Sequence, residues 1–148
     1  MRAVVQRVSR AEVRVGGRSI GRIERGLLVL AAVQHGDDET AASRLADRLR
    51  YLRIFEDDDG KMNRDVGEAG GAVLLVSQFT LAASTARGRR PSFSGAAPPE
   101  RARPLVEHLA AELRRLGVEV ESGEFGAAME VELVNDGPVT LIVESKRA

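Results

Sequence analysis

Apolar and polar residues alternate along the first fifteen positions, MRAVVQRVSRAEVRV, where Val4, Val8, Val13 and Val15 mark a β-rich start. Gly16-Gly17 separates EVRV from RSIGRI and predicts a two-residue hairpin turn. GLLVLAAVQ, residues 26–34, is a short continuous apolar run of the kind expected for a central strand buried on both faces. The acidic start Asp37-Asp38-Glu39 precedes Ala42, Leu45, Leu49 and Leu52, whose spacings of 3 and 4 predict a helix with arginines on its outer side. AVLLVSQFTL, residues 72–81, reads as a second buried strand with a polar end. Leu105, Val106, Leu109, Leu113 and Leu116 form the apolar stripe of a second helix, stopped by Gly117 and starting at either Pro99 or Pro104. VEVESG adds a short strand. ELVNDGPVTLIV, residues 132–143, then predicts a β-hairpin: two β-branched runs, 131–134 and 139–143, flank a polar turn. Its odd feature is Gly137-Pro138, two poor strand formers side by side where the second arm begins.

The order of about seven or eight strands and two helices argues for an α+β fold, with the helices against a mixed, strongly curled sheet. At 148 residues the chain is expected to form a single domain, 1–148. With 43% hydrophobic and 30% charged residues it has the composition of an ordered globular protein. Lys+Arg and Asp+Glu both number 22, so any nucleic-acid partner must be held by a local patch. The chain has no cysteine, which removes disulfides, thiolate nucleophiles and cysteine-ligated zinc. No signal-type or membrane-length apolar run is present, and a soluble, cytoplasmic protein is expected.

Candidate chemistry is sparse. The two histidines, His35 and His108, lie in no Ser/His/Asp setting, and their number excludes a His-rich metal site. FEDDDGKMN matches only part of a calcium loop, with Phe55 where the first ligand should be, and reads as a solvated turn. No general base stands out, so the chemistry must use backbone groups or the ligand itself. Ser77-Gln78-Phe79-Thr80, at the exit of a buried strand, can aim successive N–H groups at an oxyanion or carbonyl; equally, Phe and Thr are simply good strand formers. ARGRRPSFSG holds the densest basic patch, Arg87, Arg89 and Arg90, suited to phosphates or to plain solvation. Aromatic content of 3% argues against a platform that stacks many bases.

SQFTL (77–81), RPSFSGAAPPE (90–100) and NDGPVT (135–140) stand in the order and spacing of the D-aminoacyl-tRNA deacylases, which this chain resembles. MRAVVQRVS, GLLVL, LRIFED and GKMN fit the same family, so the resemblance spans essentially the whole chain. It implies a compact barrel-like α+β fold and a homodimeric hydrolase that cleaves the ester between a D-amino acid and the terminal ribose of tRNA. Glycine would be accepted as well. It implies no cofactor and no metal, the 3′ end of aminoacyl-tRNA as partner, and neither membrane nor DNA as a target. The implied site joins Ser77, Gln78, Phe79 and Thr80 of one subunit to a cis Gly137-Pro138 turn of the other, which excludes L-amino acids. Phe125 and Met129 match positions near the terminal adenosine, or are core residues; Arg7 either braces the Gly-Pro turn or is a surface residue. Thr80 is the family's candidate nucleophile, and assistance by the ribose 2′-hydroxyl is the alternative. Two rivals stay open, a non-catalytic RNA-binding dimer and a relative that acts on L-alanine.

Overall fold

The computed structural model describes residues 1–146. Eight strands and two helices follow one another as β1 (Arg2–Val15), β2 (Arg18–Ile23), β3 (Gly26–Ala32), α1 (Glu39–Arg50), β4 (Phe55–Glu56), β5 (Met62–Arg64), β6 (Ala72–Ser77), a 3-10 turn (Phe79–Ala82), α2 (Pro99–Arg115), β7 (Glu119–Ser122) and β8 (Glu130–Glu144). β4 and β5 form a small separate hairpin around the acidic turn. The other strands make one mixed sheet in the order β2-β1-β3-β6-β7, with β8 added to β1. β1 pairs antiparallel with β2, β3 and β8, whereas β3, β6 and β7 run parallel. The sheet curls until β2 meets β6 and β7. A Cβ on Gly21 would lie 3.1 Å from the Ser122 carbonyl oxygen and 3.2 Å from Leu74 Cδ1, so the closure needs a bare backbone there. The result is a nearly closed barrel with two helices packed outside it.

Both apolar runs are buried on two faces. Leu27, Val29, Val73 and Leu75 join the core beneath the helices, while Leu28, Leu74 and Val76 fill the barrel interior with Val8, Ala11, Val13 and Ile23. Gly16 and Gly17 both take positive φ, 57° and 78°, as the predicted β1–β2 turn requires. Asp38 caps α1 by accepting the Ala41 N–H at 2.9 Å, a contact worth about 1 kcal/mol. Ala42, Leu45 and Leu49 face the core from α1 as their spacing predicts, but the helix ends at Arg50 and Leu52 packs from the following segment. α2 starts at Pro99, and Pro104 lies inside it, where it has no N–H to donate to the Glu100 carbonyl. No helix among the described residues is long and apolar enough to cross a membrane.

Two sequence expectations fail. The strand over residues 72–81 stops at Ser77, and Phe79-Thr80-Leu81-Ala82 form the 3-10 turn. The hairpin over residues 132–143 does not form. Both β-branched runs belong to β8, a single strand lying antiparallel to the long β1. Gln6 faces Thr140 and Val8 faces Asn135, so two steps along β1 match five along β8. The extra residues of β8, among them Asp136, Gly137 and Pro138, leave the ladder as an outward bulge.

Candidate active site

Two features of this fold bring chemistry to the surface. The first is a cavity of about 580 Å³ at the carboxyl ends of the parallel strands β3 and β6, the usual place for a site in such sheets. Ala31, Ala32 and Val33 at the end of β3 and Ser77 at the end of β6 form part of its floor. The Gln78 N–H donates to Ala31 O at 2.8 Å, and Leu81 N–H donates back to Gln78 O, which turns the chain sharply after the strand. The amides of Phe79 and Thr80 therefore occupy the first positions of a 3-10 turn, ahead of its internal hydrogen bonds. The Gln78 side-chain amide donates to Thr80 Oγ1 at 3.1 Å. Phe79 is exposed, its ring edge-on to Phe93 with centroids 5.2 Å apart.

The remaining walls come from small residues. The segment after Phe93 docks beside the end of β3 through Ala97 N–H to Val33 O and His35 N–H to Gly95 O, which places Ala96 and Ala97 against the cavity. Phe125, Gly126, Ala127 and Met129, from the segment between β7 and β8, complete the lining together with Pro99, Ala102 and Arg103 of α2. Gly123 makes room for Met129, because a Cβ there would lie 2.8 Å from the methionine sulfur. Ser77, Gln78, Phe79, Thr80, Phe125 and Met129 thus share one cavity. Among the described residues its only charged lining residue is Arg103, and no carboxylate, histidine or lysine lines it. His108 sits elsewhere, its Nε2 3.0 Å from Ser43 Oγ between the helices.

The second feature is the β8 bulge. Asn135 folds its side chain back along it: Oδ1 accepts the Val139 N–H at 2.8 Å, and Nδ2 donates to Val139 O and Thr140 Oγ1. These bonds replace ladder bonds that the bulge forfeits. Arg7, buried under the bulge, donates from Nε to Asp136 O at 2.9 Å and from Nη1 to Ile54 O at 2.6 Å. Gly137 takes φ of 148°, and its peptide bond to Pro138 is cis. Gly137 and Pro138 are exposed and do not line the cavity of their own chain. Arg7 pairs with Leu27, four residues before Ala31, so the bulge and the cavity are separated by roughly 13 Å along β3 and a further strand across. Arg87, Arg89 and Arg90 lie outside the cavity on an exposed excursion closed by two Ser84–Ser92 backbone bonds of 2.8 Å.

The bracing by Arg7 gives a stability prediction. Arg7→Met keeps the apolar stem but strands the buried Ile54 carbonyl and the part-buried Asp136 carbonyl. Urea unfolding is expected to show a loss of about 2–4 kcal/mol, about 1–3 for the buried carbonyl and about 1 for the part-buried one. A loss within 0.5 kcal/mol, roughly that of an unremarkable surface change, would contradict the brace.

Sequence reasoning passed over Asn135 and Arg103. Asn135 carried a readable signal, since Asn two residues before Gly-Pro is a residue type that closes turns on its own backbone. Arg103 carried none, because one arginine on an arginine-rich helix looks like solvated charge.

The profile of a family described as D-Tyr-tRNA(Tyr) deacylase matches residues 4–144. The D-aminoacyl-tRNA deacylase of Roseiflexus castenholzii is 61% identical over 98% of this chain and 92% of its own length. That of Symbiobacterium thermophilum is 57% identical over 99% and 97%. Among solved structures, a c-Myc DNA unwinding element binding protein superimposes with a TM-score of 0.94 at 39% identity, covering 99% of this chain and 100% of its own. A probable eukaryotic D-amino acid tRNA deacylase has the same fold, with a TM-score of 0.82 at 18% identity over 97% of this chain and 98% of its own. With the profile covering nearly the whole chain and bacterial relatives well above half identical, the chain belongs to the D-aminoacyl-tRNA deacylase family of ester hydrolases.

Proposed function

We propose that the chain works as a homodimer in which each Gly137-Pro138 bulge enters the partner's cavity and admits only D-aminoacyl or glycyl esters of tRNA for hydrolysis. The supporting observation is the separation of the two features. A cavity without a titratable base and a rigidly braced, exposed turn stand too far apart to meet within one chain. The outer edge of β8 pairs with no other strand among the described residues, and it carries exposed Val134, Leu141 and Ile142, the last 69% exposed. A long unpaired strand with apolar side chains is a surface that a second copy can cover.

In this reading the amides of Phe79 and Thr80 hold the ester oxyanion, and the amino group and carbonyl of the substrate are fixed by backbone. The side chain of a D residue then points one way and that of an L residue the other. Carbonyl oxygens of the inserted turn, standing on the L side, reject any L side chain by clash and by lost hydration. No side-chain pocket is needed, so many D-amino acids are accepted, and glycine passes because it has no side chain to reject. Phe125 and Met129 lie against the terminal adenosine, and Arg87, Arg89 and Arg90 contact tRNA phosphates. No lining residue among those described is a carboxylate, histidine or lysine, so the ribose 2′-hydroxyl assists in activating water, with Thr80 as a positioning residue.

Matched D-aminoacyl-, L-aminoacyl- and glycyl-tRNA test this. Rapid release is expected from the D and glycyl esters and none from the L ester. Turnover of the L ester would point to a relaxed relative, and turnover of none to a non-catalytic RNA binder. Turnover of a substrate with a 2′-deoxy terminal adenosine should fall by about 100-fold or more, from the lower end of the range for a lost proton-transfer partner upward. Undiminished hydrolysis of that substrate, or complete inactivity of a folded, tRNA-binding Thr80→Ala protein, would restore Thr80 as nucleophile.

A further inference from the structure

Arg103 stands between two cavities. Beyond the reaction cavity lies a second, of about 420 Å³, bounded by α2 on one side and by β7 and the segment after it on the other. Ser77, Arg103 and Phe125 line both. The Arg103 guanidinium lies over the Phe125 ring, 5.0 Å from its centroid. Arg25 is held in a similar way over Phe55, 5.5 Å from its centroid, but lines neither cavity; other arginines that take part in the fold are bonded differently. Arg7 and Arg114 donate to backbone carbonyls and Arg50 pairs with Asp65. Arg103, among the described residues, has the ring as its partner and no carboxylate within ion-pair distance. Stacking fixes the plane of the guanidinium while leaving its N–H fork free, an arrangement suited to a phosphate diester.

We infer that Arg103 binds the phosphodiester linking the terminal adenosine to the nucleotide before it, and that the second cavity receives that nucleotide. The inference rests on the reading that places the adenosine against Phe125 and Met129. A base packed beside Phe125 in the first cavity brings its 5′ phosphate toward the shared wall, where Arg103 is the cation. Glu107 and Glu124 line the second cavity with Arg114, two carboxylates against one guanidinium, so beyond the wall nothing adds to the attraction of Arg103 for a phosphate. The attraction is local to Arg103 and serves one linkage, not a track of phosphates.

Two D-aminoacyl esters test the assignment, one on adenosine alone and one on a trinucleotide ending in the same adenosine. Wild-type protein is expected to favour the trinucleotide by about tenfold in kcat/KM, chiefly through KM, as a single charged phosphate contact provides. Arg103→Gln should bring that preference to about unity, and Arg103→Lys should restore part of it. Arg101→Gln removes the same charge from the same helix outside both cavities and should keep the preference. Retention of the preference by Arg103→Gln, equal loss in Arg101→Gln, or a wild type with no preference would each overturn the Arg103 assignment alone. A wild type that cleaves neither D-ester nor D-aminoacyl-tRNA would instead overturn the functional reading, and this inference with it.

Discussion

Mixing Gly137→Ala protein with Ala127→Trp protein, each nearly inactive alone, is expected to restore about a quarter of wild-type turnover per chain. A Cβ on Gly137 would lie 2.7 Å from both the amide nitrogen and Cγ2 of Val139, at a φ of 148° that side chains resist. The turn must shift, and a displacement of about 1 Å at a positioning element costs roughly 100-fold in rate. Ala127→Trp leaves the turn intact and fills the cavity from its rim. If the site is built from the cavity of one chain and the turn of the other, a mixed dimer has one site with both defects and one with neither. Random pairing makes half the dimers mixed, hence the quarter. When the chains are co-expressed with different tags and the mixed dimers are isolated directly, the expected value rises to about half of wild-type turnover per chain. Mixed dimers no more active than their parents would sink the shared site and place the turn's role within its own chain.

Gly26→Ala is expected to cause the largest loss of stability, about 3 kcal/mol or more. Gly26 and Ala72 open the parallel pairing of β3 with β6, and a Cβ at position 26 would fall 1.8 Å from the Ala72 carbonyl oxygen. Overpacking normally costs about 1–3 kcal/mol because side chains can give way. Here the obstacle is backbone, so the two strands must part. Gly60→Ala is the natural control, since φ there is 76° with nothing within 4 Å of the added Cβ; it carries conformational strain without collision. Urea midpoints at equal slope compare the two. Equal losses would mean that the sheet accommodates the methyl group and that the contact does not constrain it. A misregistered or splayed β3–β6 pair would also separate Ala31 from Ser77, so residual folded protein should lose turnover as well.

The parts legible in the sequence share one property: their signals are local and periodic. Continuous apolar runs mark β3 and β6, because a strand covered on both faces leaves no polar side. Stripes at 3 and 4 mark α1 and α2, and Gly16-Gly17 and Gly117 mark turns whose φ values, 57°, 78° and 89°, favour glycine. The motifs SQFTL and NDGPVT were visible too, but only as residue types in a familiar order.

What escaped the sequence was non-local. Residues 131–134 and 139–143 have the same alternation whether they are two hairpin arms or two halves of one strand, and Asn-Asp-Gly-Pro is as good a turn signal in either case. The choice belongs to β1, whose fourteen residues offer a partner to both halves, and to Arg7 and Asn135, which satisfy the carbonyls and amides that the bulge strips from the ladder. Ser77-Gln78-Phe79-Thr80 could equally have continued a strand; the Gln78 bond to Ala31 and the 3-10 turn end it. By itself the sequence determined which segments are buried, where they break and which family they belong to, because burial and turn chemistry are written in neighbouring residues. Only the tertiary structure decided that the cavity and the Gly137-Pro138 turn lie apart and that Arg103 stands between two cavities, because those relations depend on strand pairing between residues more than a hundred positions apart and on the packing of α2 against β7.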